Sequence, residues 1–541
     1  MKRLILALTL VAAALQSAAQ TVPLSDIRKP AIPTHVSDSL ERFNLSFDYS
    51  IFNRPYADLY DFNPYEALLL NTKGPNRLPY FYAKLGLQYP FIPTGEIYFQ
   101  TRPKNDFCLG IYGRHNSFIG TRPDVASDAD VDNSRMTNSV GGAFTYDWAT
   151  GEFIFDAQYN YNRHSFDAGE ANSLSTDGNL LISMNINSAH VEDKSVFYDI
   201  TAKYRNSNMG LTTSAGGSGN VRENYIKVGG DVGATFDIHR IGVNMNIEFS
   251  KYTGMKEYSS GVVELSPVYE IENRVVSARI GAKFGTTYAI GEDKGGQDLG
   301  VENNFFPEID ARFKLVDKVL WVRTVVTGGE DLNQLSSLTD RCPVVDLASG
   351  CEFGVRRLDA RLSIESVIRG RLAINLLGSY VIYDNKLFFA PMTDADASLC
   401  RVQAQYMDVN SWSFGAETFW KSQDLTLSGK VQYHMYSRRY DEPGEVTEFP
   451  KLTAEALLRY SFRERLIASF DLSYRSKVSG TALGAYEVPA LLDASVNVNY
   501  LIGRNVSIFA KVGNVFNQRN QYMPMYLEPG RNWGGGLCVN F

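Results

Sequence analysis

Apolar and polar residues alternate along most of this chain with a period of two. At 241–249, Val243, Met245, Ile247 and Phe249 fall on one face, and Asn244, Asn246 and Glu248 on the other. At 493–500, Ala494, Val496, Val498 and Tyr500 oppose Asp493, Ser495, Asn497 and Asn499. The closing stretch behaves alike: Trp533, Leu537, Val539 and Phe541 share a face opposite Asn532, Cys538 and Asn540. This is the pattern of strands with one apolar and one polar face. Applied throughout, it predicts about 22 strands from residue 81 to the end of the chain. Early ones fall at 106–118 and 139–149, middle ones at 302–316 and 319–332, and the last at 532–541.

The connections carry a second pattern. Every other one is short, as at 103–105, 237–240, 273–274, 317–318 and 503–505. The intervening ones are mostly long and rich in Gly, Ser, Asp and Asn, as at 119–138, 167–178, 209–221, 333–352, 440–450 and 521–531. Outer-membrane barrels alternate in this way, with short periplasmic turns and long external loops. An even strand count also leaves both ends of the barrel at one rim. Proline adds a weaker regularity. Pro267, Pro307, Pro450 and Pro489 all fall near the start of strands that return from the long-loop side. Proline cannot donate to a ladder, so strand starts and edges suit it. The expected fold is all-β: a transmembrane antiparallel outer-membrane β-barrel over 81–541. Apolar residues would face lipid and polar ones the lumen, with Trp321, Trp420 and Trp533 in interfacial girdles.

The first residues differ in kind. Lys2 and Arg3 precede an apolar run at 4–15 and small residues at 17–19, which is the layout of a signal peptide over 1–20, cleaved near Gln20. Localisation to a Gram-negative outer membrane follows. With 53 basic and 60 acidic residues the net charge is −7, which argues against nucleic acid as a partner. The chain has five cysteines. Cys342 and Cys351 share one predicted external loop, where an oxidising exterior favours a local disulfide. The six histidines show no metal-ligand spacing, and no nucleophile elbow or zinc-hydrolase motif occurs. No catalytic residue, cofactor site or metal site is therefore assigned, and the chain is not read as an enzyme. His434 falls on the lumen face as a polar wall residue.

The last hairpin reads Lys511-Val512-Gly513-Asn514-Val515-Phe516-Asn517, then a loop, then Gly530-Arg531-Asn532-Trp533 and the terminal strand. It resembles the C-terminal end of TonB-dependent receptors of the outer membrane, and more softly their tyrosine-rich, long-loop forms from Bacteroidota. The resemblance implies a barrel of this size, a role in transport or ligand uptake, and a terminal aromatic, here Phe541, read by the barrel-assembly machinery. The family's N-terminal plug domain has no counterpart. The segment 21–80 is too short for it and carries no Gly-rich plug motif, so the expectation is a barrel with no separate plug domain.

A barrel of this width needs an occupied lumen. Three fillers suggest themselves: the 21–80 segment, long loops folding inward, or a second protein such as a surface lipoprotein. Lumen-face charges of both signs, among them Arg279, Lys283, Asp310, Arg312, Arg357, Asp359, Arg475, Asp493 and Lys511, favour mutual pairing or a polar filler over an ion path. Two functions follow: transport or uptake across the outer membrane, or a plugless barrel serving as scaffold or accessory subunit of an outer-membrane complex. Outer-membrane lipid is the partner common to both. The barrel itself is testable on gels. Unheated protein is expected to migrate faster than heated protein, and identical migration would count against closure.

Overall fold

The computed structural model describes residues 80–541, apart from 102–106, 124–129, 149, 168–171, 189–195, 214–217, 256, 293–300, 350, 369–370, 393–401, 441–445, 464, 481–484, 504 and 525. The expectations for 1–20 and, save for Tyr80, for 21–80 lie outside these residues.

Twenty-two antiparallel strands make one sheet. Its first strand, Phe81–Tyr89, pairs with the second, Ile92–Gln100, on one edge and with the last, Asn532–Asn540, on the other. The second contact runs from Tyr82↔Asn540 to Tyr89↔Trp533. The sheet is therefore a closed cylinder, and the backbone groups of its end strands are satisfied. Side chains then sort as the alternation requires. Leu85, Leu87, Ile97, Ile111 and Leu537 are exposed on the outside, while Lys84, Gln88, Lys511 and Cys538 are buried on the lumen face.

The closing seam has its own packing device. Phe509 faces the lumen and lies across two glycines of the joined strands. A Cβ on Gly86 would stand 2.8 Å from its ring, and one on Gly536 2.7 Å. The ammonium of Lys84 sits 5.0 Å from the same ring centroid. The aromatic thus occupies a notch that only glycine leaves open, and it spans the three strands that meet at the seam.

Strand lengths differ around the wall. Phe107–Pro123 has 17 residues and Val402–Lys421 has 20, whereas Phe81–Tyr89 has nine and Val506–Gly513 eight. A membrane strand needs about 10, so the tall strands project beyond the bilayer. This corrects three expected loops. Most of 119–138, 167–178 and 209–221 is ladder, continuing in Phe107–Pro123, Asp130–Trp148, Gly151–Asp167, Asn172–Asn187, Val196–Thr213 and Ser218–Phe236. Their polar, small residues suit a ladder wetted on both faces, which carries no apolar signal. Pro450 and Pro489 precede the strands Leu452–Phe462 and Leu491–Leu501 as expected, but Pro267 and Pro307 lie inside Glu257–Glu272 and Val301–Val316.

One girdle assignment also changes. Trp321 pairs with Lys314 and Glu365, and the Arg312 guanidinium lies 5.1 Å from its ring. It therefore faces the lumen. Trp533 does lie outside, stacked on Tyr89 at 5.9 Å. Replacing Gly536 by leucine is expected to displace the Phe509 ring and to push on the seam backbone, where the added Cβ would stand 2.0 Å from the Leu85 carbonyl oxygen, at a cost of at least the ~1–3 kcal/mol typical of overpacking. The temperature at which the gel band shifts is expected to fall. Gly503→Ala, where nothing lies within 4 Å of the added Cβ, is the control and is expected to leave it unchanged.

Candidate functional site

Both ends of the barrel, Phe81 and Phe541, lie at one rim, joined by reciprocal backbone hydrogen bonds of 3.3 and 2.9 Å. The described residues of the long connections 333–352, 439–451, 476–490 and 514–531 lie at the opposite rim. They fold inward across the mouth and form a cap.

The largest piece follows the strand Leu320–Leu332 and holds a helix, Leu335–Arg341, that alternation does not announce. Seven residues make a marginal helix alone, and Gln334 supplies no side-chain cap. The wall supplies one. Glu223, fully buried, accepts a hydrogen bond from the Ser336 N–H at 2.8 Å and another from the Ser250 hydroxyl at 2.6 Å. A carboxylate placed there meets the unsatisfied donors and the positive end of the helix. Arg205 holds the other end, donating to both Asp340 oxygens at 2.6 and 3.1 Å and to the Ser336 carbonyl at 3.4 Å.

Apolar contacts extend the cap across the lumen. Leu335, Leu338, Cys342, Val344, Val345 and Leu347 form one buried cluster with Met209, Val221, Tyr252 and Tyr258 on one side. On the other side they meet Phe389, Val402 and Ala404, where Val345 and Val402 make an isolated parallel bridge. Strands so far apart around a closed cylinder can share one cluster only through the lumen. Loop folding is thus the filler that the described residues contain.

The C-terminal loop joins the cap. Asn514 and Asn517 hold φ of 45° and 52°, a region that asparagine tolerates. Their side chains staple the turn: Asn514 bonds Gln518 at both its N–H and its carbonyl, and Asn517 accepts from the Arg531 N–H at 2.8 Å. The hairpin beyond is held by two wall residues expected as lumen anchors. Arg475 donates to the carbonyls of Tyr522 and Gln521 at 2.8 and 2.7 Å, and Asp493 accepts from the Tyr522 hydroxyl at 3.1 Å. Met523 and Tyr526 then enter the cap cluster, and Tyr526 meets His164 at 5.6 Å. A second cluster forms around Phe388, Tyr436, Val446 and Phe449, with Tyr486 packed on it.

Away from the cap, the expected charges mostly pair with one another. Arg279 reaches Glu308, Glu270 and Asp231 at 3.1, 3.0 and 3.3 Å, Arg312 reaches Glu365 at 2.6 Å, and Arg361 pairs with Asp359. His434 is buried on the wall, its Nδ1 2.7 Å from the Ser413 hydroxyl. Cys342 is buried in the cap cluster, with Cys351 packed against that cluster, and both stand as thiols in this structure. Burial pushes the Cys342 thiol up to about 12. The residues that sequence reasoning missed are the apolar ones on the lumen face near the mouth. Their signal is adjacency, as in Val262-Val263 and Phe388-Phe389, where both faces of a strand turn apolar.

Among solved structures, the chain is similar to the FrpB iron transporter from Neisseria meningitidis, at TM-score 0.67 and 10% identity over 87% of this chain and 83% of that one. The copper transporter OprC gives 0.65 and 10% over 85% and 80%. The pyoverdine outer membrane receptor FpvA from Pseudomonas aeruginosa PAO1 gives 0.63 and 11% over 86% and 79%. The wall has the fold of a TonB-dependent receptor barrel. No protein-family profile and no curated sequence matches the chain, so the receptor fold is carried by architecture.

The cap gives a direct test of its anchoring. Glu223→Ala removes the acceptor of two hydrogen bonds and leaves the buried Ser336 N–H without its partner, at a cost of ~1–3 kcal/mol. Limited proteolysis is expected to cut faster within 333–352. Glu223→Gln, which keeps an acceptor oxygen for Ser336, is expected to be intermediate.

Proposed function

We propose that this protein is an outer-membrane receptor of the transport class, whose external loops close the lumen until a ligand displaces them. The observation that carries the reading is the cap itself. Four loops from one half of the chain converge in the mouth, anchored by wall residues from both halves, above a lumen face lined with paired charges. A cap held by Glu223, Arg205 and Arg475 through side-chain contacts can be released without unpairing the first and last strands that close the barrel. The receptor fold supports the same reading, since structures with this barrel include an iron transporter, a copper transporter and a pyoverdine receptor. Phe541 is exposed at the rim beside Phe81, with ring centroids 6.3 Å apart, and this exposure supports its reading by the assembly machinery.

Single-channel recording in planar bilayers tests the proposal on the full-length mature protein. The wild type is expected to stay closed, and Glu223→Ala to show open events. Steady conduction by the wild type would overturn closure by the cap. A stoichiometric protein partner in native membranes, with no ligand taken up, would favour the scaffold role instead. We further propose that Cys342 and Cys351 bridge during export, before the cap buries Cys342, by exchange with a disulfide oxidant of the oxidising exterior, which takes up the two electrons and two protons as the S–S bond forms. Mass spectrometry of protein alkylated without reduction is expected to find the two as one cystine, and two alkylated thiols would sink that assignment.

A further inference from the structure

The wall is not continuous at one place. Leu320–Leu332 pairs with Val301–Val316 only as far as Ile309↔Val326. Beyond that point, 301–308 ladders with the preceding strand alone, and 327–332 with the following strand, Phe353–Ile368, alone. Two sequence features account for the parting. Pro307 cannot offer its neighbour the next donor. Gly328 lets the strand turn inward, because a Cβ there would stand 2.5 Å from the Phe306 ring and 2.7 Å from the Arg356 carbonyl.

The parted segment runs inside the barrel. The Gly328 carbonyl accepts from Lys283 at 3.1 Å, the Glu330 N–H donates to Glu264 at 3.1 Å, and Leu332 packs on Tyr225 and Val262. It leads directly into the cap helix, and the chain returns to the wall through 353–356. Both flanking strands change register at the same level, between Thr327 and Gly329 and between Arg356 and Leu358. Arg356 ties the two together by donating to both oxygens of Asp331 at 3.1 Å. Across the parted seam the wall is held by Arg357, which donates to Asn304 at 2.8 Å and Glu302 at 3.1 Å and pairs with Asp384.

We infer that the cap loop and the parted ends of its two flanking strands are one moving body, hinged at the paired register shifts and latched to the wall by Arg357. Lifting the cap then opens the wall sideways between 301–308 and the strand Phe353–Ile368. The lumen gains an opening towards the outer leaflet as well as the exterior. The opening rests on the cap reading above, but the coupling does not.

Hydrogen exchange on the full-length protein in nanodiscs measures that coupling. Glu223→Ala touches only the helix end of the body. It is expected to speed exchange in the helix and in 329–332 and 353–355 by a common factor, on the order of tenfold, as one cooperative unit. The segment 309–316 is expected to keep its wild-type rate. Arg357→Ala, at the opposite end, is expected to raise the same segments together with 301–308. Faster exchange in the helix alone would overturn the inference, whatever the bilayer recordings show. Coupled exchange without open events would instead remove the closure reading and leave the moving body standing.

Discussion

A backbone that crosses lipid must bond to itself, and a sheet can do so completely only by closing. The pairing of Phe81–Tyr89 with Asn532–Asn540 meets that condition, and much else follows from it. With an even number of strands, both ends of the wall reach one rim. The long connections fall at the other. Outside and inside are then set along each regular stretch of ladder by parity, so Leu537 meets lipid while Cys538 fills the lumen. Closure also brings Gly86, Phe509 and Gly536 together, although the first lies more than four hundred residues from the others.

A wall this wide encloses a lumen that its own side chains do not fill. The loops respond by behaving as a core. A seven-residue helix that would not persist in water is stable in the mouth because Glu223 and Arg205 complete its ends and apolar wall residues cover its face. The same residues explain why the lumen face is not uniformly polar. Where the wall meets the cap, it presents Met209, Val221, Tyr252 and Phe389. Elsewhere, acids and bases such as Arg279 and Glu308 satisfy each other.

The likeness to structures at about a tenth identity has a simple basis. Period-two alternation and loop parity are degenerate codes that many different sequences meet, and they specify the wall without specifying its residues. That is why the barrel, its closing pair and its outward face were legible from Asn532 to Phe541. Arg475 and Asp493 were legible as lumen residues, but not as the holders of a hairpin from the C-terminal loop. The asparagines of the last loop stood out as a motif, and the structure adds their physical task of stapling left-handed turns.

By itself, the sequence determined the strand count, the parity of the connections, the closure by its two ends and the sign balance of the lumen. These are local patterns repeated along the chain, each readable within a window of a few residues. Only the tertiary structure decided how far the tall strands project, that Trp321 turns inward, which loops meet in the mouth, and that the wall parts above Ile309. Those outcomes depend on residues distant in sequence, such as Glu223 with Ser336 and Arg357 with Asn304. Their pairing leaves no periodic trace, because each contact occurs once.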